Sequence, residues 1–363
     1  MRVFLTGICV CLLFLTTVQT GAAQQAELPT WDVGLTWAIG KPDIDLTFTY
    51  TAMDMTVDAT GSCSYYVIYK VGAIEGQEYR VDVTGGLDMV MDIDISGVSA
   101  GQQVSGFMHL TMTTKLDGTV YYTKNELAVA RADETLNIDM DFSGSVTGGG
   151  QAVGLNGSLD ASGDMGITFN PSLDIFDFPI TVGESWTAES VATVTGSMSG
   201  SMSFKMVVDG AEQSFSEPIS ESLDQTVDVS LSVSCPRTVD IPLASTCYEL
   251  VVSGTGMAQA CPFMPASVLY YSPDSRFVAA AELPFCEALS GASLGSEEDI
   301  PLFGEFMGGE ETIALSSVTE QEARDAIEGI GAEGIDIVLI GAIVAIVIVA
   351  IATVLVVVRR KLA

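Results

Sequence analysis

Residues 87–96 read LDMVMDIDIS. Leu87, Met89, Met91, Ile93 and Ile95 take every second position, while Asp88, Asp92 and Asp94 fall between them. Successive side chains of an extended backbone point to opposite faces, so this alternation describes a strand with one dry and one wet side; a helix would repeat its apolar residues at three and four. LNIDMDFS (136–143) does the same, setting Leu136, Ile138, Met140 and Phe142 against Asn137, Asp139 and Asp141. VSGFMHLTMTTKL (104–116) and VTGSMSGSMSFKMVV (194–208) extend the pattern to unusual length, and nearly every stretch between 43 and 285 carries it. The connectors predicted between strands are SGVSAGQQ (96–103), Asp117-Gly118, ARADE (130–134) and TGGGQ (147–151), each short enough to join antiparallel neighbours in a meander. The fold class is therefore all-β, and long amphipathic strands that cannot leave their apolar side in water must curl around a core or pack on one another.

The ends of the chain predict where such a body resides. Residues 1–25, MRVFLTGICVCLLFLTTVQTGAAQQ, hold one cation, an apolar run and the small residues Gly21, Ala22 and Ala23, which together read as a secretory signal helix cleaved near Ala23. Near the other end, Ile337 to Val358 carry no charge, and a helix of that length matches the roughly 30 Å of a bilayer's hydrocarbon. A transmembrane helix is expected over 335–358. Arg359, Arg360 and Lys361 behind it place the tail, 359–363, in the cytoplasm and everything from Gln24 to about Asp336 outside the cell membrane. The formal net charge of −33, from 14 basic and 47 acidic residues, argues against a nucleic-acid partner and suits a salty medium or a cation-collecting surface.

Short motifs recur in order. VGLTW (33–37) returns as VGESW (182–186), EYRVDVTG (78–85) as CYELVVSG (247–254), and TVYYTKNELAVA (119–130) as VLYYSPDSRFVAAAE (268–282). The reading is an internal repeat: two tandem antiparallel meander or half-barrel domains, 24–178 and 179–290. An acidic, Gly-rich stalk (291–334) follows, in which Thr319 and Glu322 form a capping box ahead of a short helix.

The second copy, through FPITVGESW (178–186), VDIPLASTCYEL (239–250) and YYSPDSRFVAAAE (270–282), resembles archaeal-type secreted or surface-anchored proteins of unknown function. Their domains are similar to the half-open β-barrel of periplasmic lipoprotein carriers. The resemblance implies that kind of barrel and transfers no functional residue.

Candidate chemistry is sparse. Gly97-Val98-Ser99-Ala100-Gly101 and Gly291-Ala292-Ser293-Leu294-Gly295 match a nucleophile elbow in letters, but neither sits between a strand and a helix. The single histidine, His109, is placed by alternation on the wet side beside Thr111, so serine hydrolysis lacks its base. Asp92 and Asp94 in DIDISG, echoed by Asp139 and Asp141 in DMDFSG, have the spacing that opens a calcium loop; the closing acid is missing, position twelve being Gln103. In a strand the same spacing makes a polar face. Calcium is thus the one cofactor considered. Of the cysteines beyond the signal, Cys235, Cys247, Cys261 and Cys286 admit three pairings. The expected one is Cys235–Cys247 across a hairpin with Cys261–Cys286, leaving Cys63 as a buried thiol. Asn156-Gly157-Ser158 is a glycosylation sequon. The expected function is non-catalytic: a membrane-anchored surface protein that binds or builds the envelope. The alternative is a carrier or sensor of an apolar ligand such as a lipid, for which the Met-rich dry faces offer a lining, and a metal-dependent hydrolase ranks third.

Overall fold

The computed structural model describes residues 25–330 except 53–54, 100–101, 149, 209, 243, 256–266 and 285–311. The signal, the apolar run before the tail, most of the stalk, Cys261, Cys286 and Ser293 lie outside the described residues. Alternation becomes strand throughout: β1 (Gln25–Ala26), β2 (Thr36–Ala52), β3 (Met55–Glu75), β4 (Glu78–Ser99), β5 (Gln102–Thr123), β6 (Val129–Gly148), β7 (Gln151–Leu173), β8 (Ile180–Thr181), β9 (Ser185–Val208), β10 (Ala211–Ile241), β11 (Ser245–Thr255), β12 (Val268–Ser272), β13 (Phe277–Pro284) and β14 (Thr312–Ser317). One helix, α1 (Glu320–Gly329), follows, with the Thr319–Glu322 capping box in place. No described helix is long and apolar enough to cross a membrane.

All strands but β1 and β8 form one closed sheet, in the order β10-β11-β12-β13-β14-β2-β3-β4-β5-β6-β7-β9. The expectation of a barrel is met, but the sheet does not close within either half of the chain. β7 pairs with β9 from Val153↔Val208 to Asn170↔Val191, so the ladder runs unbroken across the boundary expected near 178. A half whose end strands stayed unpaired would leave two edges and an apolar face in water, and joining the halves removes both costs. Closure on the far side is slight, since β14 meets β2 only through Ser316↔Gly40 and Ser317↔Ile39. Beyond those rungs, among the described residues, β2 pairs only with β3 from Ile44 on, and β10 pairs only with β9 from Ala211 to Val229.

Two predicted turns are strand instead. Asp117-Gly118 lies inside β5 and ARADE wholly inside β6, where Gly118 stands opposite Glu134. A Cβ on Gly118 would come within 2.8 Å of both the Asp133 carbonyl oxygen and Glu134 Cγ. The glycine thus serves close approach in a tightly coiled sheet and not a reversal of direction.

The inner face is one apolar cluster running through both halves, from Trp31 and Met89 to Leu231 and Phe277. Its lower end is plugged by aromatics. The Trp31 ring lies 5.0 Å from Trp37, 5.2 Å from Tyr79, 5.3 Å from Tyr122 and 5.5 Å from Phe277, and its Nε1 donates to the Arg276 carbonyl at 2.9 Å. The two segments that cross this end are tied together where β1 pairs with β8. Repeated motifs adopt matching backbone shapes. Gly34 (φ 94°) and Gly183 (φ 92°) precede β2 and β9, each donating its N–H to a carbonyl on the second strand of its half, Val71 and Cys235. Bulges fall between Tyr121 and Tyr122 and between Tyr270 and Tyr271, and a left-handed residue, Leu127 or Arg276, follows five places later.

α1 packs on the outside. Ala323 and Ile327 form a small second cluster with the outward-facing Ala38, Tyr66 and Ile68.

Candidate functional site

Outward residues of the long strands are short and polar, and their register decides what they can do together. Asp92 stands opposite His109, and its Oδ1 is 2.7 Å from His109 Nδ1. The histidine is outside and half-exposed, as alternation required; its side-chain contact is a carboxylate, and Ser143 stands opposite it on the β6 side with no hydrogen bond between them among the described residues. Asp94 faces Asp58 across the β3–β4 ladder. Asp139 faces Asp160 and Asp141 faces Ser158 across the β6–β7 ladder. Strand β5 separates Asp92 and Asp94 from Asp139 and Asp141, so the two motifs lie on strands that are not neighbours. Among the described residues no three His, Cys, Asp or Glu side chains are grouped to hold a metal. Partial burial raises the Asp139 pKa, with the charges of Asp141 and Asp160 adding to it. Asn156 is exposed on β7, between Ser143 and Lys205 on the flanking strands.

The cysteines are held apart by the sheet. Cys235 belongs to the inner cluster, whereas Cys247 packs outside with Ala244 and Ala279. The hairpin turns between Ile241 and Ser245, so Cys247 faces Val239, four residues along β10 from Cys235, and the predicted Cys235–Cys247 bridge is not formed. Cys63 is a free, buried thiol, as expected. Burial pushes the Cys63 thiol up to about 12 and the Cys235 thiol up to about 11.

A groove on the outer wall gathers more functional groups. Asp117, Thr135 and Asp164 stand in one row across β5, β6 and β7, and Thr119, Asp133, Gly166 and Thr195 form the next row, reaching β9. They line an open cleft of about 630 Å³, in which Thr135 Oγ1 donates to Asp164 Oδ1 at 2.8 Å. Carboxylate acceptors beside hydroxyl donors suit polar contacts. Sequence reading missed this groove because Asp117 and Asp133 were assigned to turns.

The inner wall behind it also carries polar groups. Glu134, in the first third of β6, is buried. Burial, with the Glu134 charge second, pushes Tyr65 up to about 12, and burial with the charges of Tyr65, Tyr122 and Glu134 holds Tyr69 well above its usual value. The hydroxyls of Tyr69, Thr114 and Tyr271 are buried without a hydrogen-bond partner among the described residues.

At the β9–β10 side the inner face is less well covered. Met198, Met202, Phe204 and Ile219 are only partly buried, and Phe215 is 55% exposed, its ring 6.3 Å from Phe204.

No protein-family description matches the sequence, and neither curated proteins nor solved structures give a match.

Proposed function

We propose that this chain is a single-pass, membrane-anchored surface protein whose barrel serves binding or envelope architecture and carries out no catalysis. The observation that carries the reading is the polarity of the wall. Asp, Ser and Thr face outward and Met, Ile and Leu face inward along β4–β7, the reverse of a lipid-facing barrel. Such a wall belongs in water, and the apolar run at 337–358 then supplies the anchor. The matched turns, bulges and left-handed residues support the view that the two halves are copies that share one barrel, the first giving β2–β7, the second β9–β13, and the segment expected as stalk adding β14.

Protease added to intact cells that carry a C-terminal tag is expected to remove the barrel and leave a tagged, carbonate-resistant remnant of a few kilodaltons. Recovery of the intact chain in the soluble fraction overturns the reading.

One observation favours a second reading, an apolar-ligand carrier: the partly covered strip of Met198, Met202, Phe204, Phe215 and Ile219. Native mass spectrometry after gentle extraction is expected to show a lipid adduct on that reading, and a clean apo mass removes it.

A further inference from the structure

The place where α1 leaves the barrel fixes how the barrel sits relative to a bilayer. Ile330, directly after α1, is buried against the outer wall. A Cβ on Gly86 of β4 would lie 2.8 Å from Ile330 Cδ1, so the helix end seats against a bare patch of backbone halfway along that strand. From Ile330 to Ile337, where the apolar run begins, there are seven Cα steps. Fully stretched they reach about 25 Å, and a relaxed Gly-containing chain of that length averages about 15 Å. Headgroups occupy roughly 5–8 Å of either figure.

Strand lengths then decide the orientation. Gly86 lies eight residues above Glu78 at the lower end of β4 and thirteen below Ser99 at the upper end. At about 3.3 Å per residue, and with the 35–45° strand tilt usual in barrels, these are roughly 20 Å and 30 Å along the axis. An upright barrel resting on its upper end exceeds the tether outright. Resting on its lower end, it needs the tether drawn taut through the headgroups, against the entropy of the chain. Only a barrel lying on its side lets the tether relax.

The geometry points to a barrel that lies along the membrane surface, its β2–β3–β4 wall with α1 against a phospholipid headgroup layer and its β10 strand turned away. In the closed order β10 is six strands from β3 in both directions. The stretch of β10 without a second neighbour among the described residues, Ala211–Val229, and the exposed Phe215 thus lie on the side away from the membrane, where a partner from solution can reach them. The tether and not attraction holds this pose, because α1 exposes Glu320, Asp325 and Glu328, with its single Arg324 already paired to Glu320 at 2.6 Å.

The inference rests on the anchor reading above, and one experiment separates their failures. The full chain is reconstituted in phosphatidylcholine vesicles containing a nickel-chelating lipid, with a spin-labelled ketone amino acid placed in turn at the exposed positions Ser62 and Lys70 of β3 and Ser216 of β10. Ser62 and Lys70 lie on either side of Tyr66, which faces Gly86, so together they read the axis. The expected result is relaxation by lipid-bound nickel several-fold stronger at both Ser62 and Lys70 than at Ser216. Vesicle flotation with equal relaxation at all three sites, or with strong relaxation at Lys70 alone, overturns the sideways pose while leaving the anchor intact. A chain that does not float with the vesicles overturns the anchor reading, and the pose with it. Ile327→Asp, which frees α1 and lengthens the tether, is expected to lower the signal at Ser62 and Lys70 while the chain still floats; an unchanged signal there overturns the role of the helix.

Discussion

Tyr69 shows how a single atom can act against the fold that holds it. Its ring belongs to the inner cluster, yet its hydroxyl is buried with no partner among the described residues. A buried polar group left unpaired costs about 1–3 kcal/mol, and removing it while keeping the ring removes that cost. Tyr69→Phe is expected to raise stability by about 1 kcal/mol in urea melts; a loss of that size would mean the hydroxyl is satisfied after all. The buried thiols and phenols also set a pH dependence. The unfolded chain releases Cys protons near pH 8.5 and Tyr protons near 10, whereas the folded chain keeps those of Cys235, Cys63 and Tyr65 to about 11, 12 and 12. Above pH 9 the folded state therefore binds more protons than the unfolded one, and stability falls as pH rises. Urea midpoints at pH 8, 9.5 and 11 are expected to decline in that order, and a flat series contradicts the burial assigned to these groups. Alternation put His109 outside, and Cys63 was the thiol left over from the expected pairings; alternation had a limit at the other cysteines. It could not foresee that the irregularity after Ser234 would send Cys235 and Cys247 to opposite faces, because a one-residue shift leaves no mark in composition.

Strands and helix were legible to different depths. The period of two located the long strands, and the Thr319 capping box located α1, whose N-terminal hydrogen bonds the side chains of Thr319 and Glu322 satisfy. Thr319→Ala should destabilise the helix by about 1 kcal/mol, read as faster amide exchange across 320–329 with the barrel strands unchanged. Turns were less legible, since Asp-Gly is a hairpin signal by local preference and the sheet overrides that preference at Asp117-Gly118. The override is testable. If Gly118 were a turn residue, a β-branched side chain would mainly strain the backbone of one loop. In a strand it must instead force apart β5 and β6, because its Cβ meets the Asp133 carbonyl and Glu134 Cγ. Gly118→Val is expected to cost about 1–3 kcal/mol in the global melt. A change confined to local exchange near 118, with no shift in midpoint, would restore the turn.

At the level of the whole chain, the repeated motifs were readable but their consequence was not. Sequence similarity between halves says that two units share a shape, and it is silent on whether each unit closes on itself. Strand length carries that information, and only in hindsight. β9 and β10 span 24 and 31 residues, whereas β11, β12, β13 and β14 span 11, 5, 8 and 6, so the second half cannot wrap its own long strands. The first half has comparable long strands but depends on Phe277 and Arg276 from the second to complete the plug around Trp31. A fragment of residues 25–173 would expose β2 and β7 as edges along their full lengths and leave Trp31 without its Phe277 and Arg276 contacts. Long flat edges of this kind recruit other chains. The fragment is therefore expected to aggregate or remain unfolded, while the full chain melts in one transition seen alike by tryptophan fluorescence and far-UV circular dichroism. Two separated transitions in the full chain, or a soluble fragment with its own cooperative melt, would show that the halves are independent domains and that the β7–β9 ladder is a contact between them, with the barrel no longer a single folding unit.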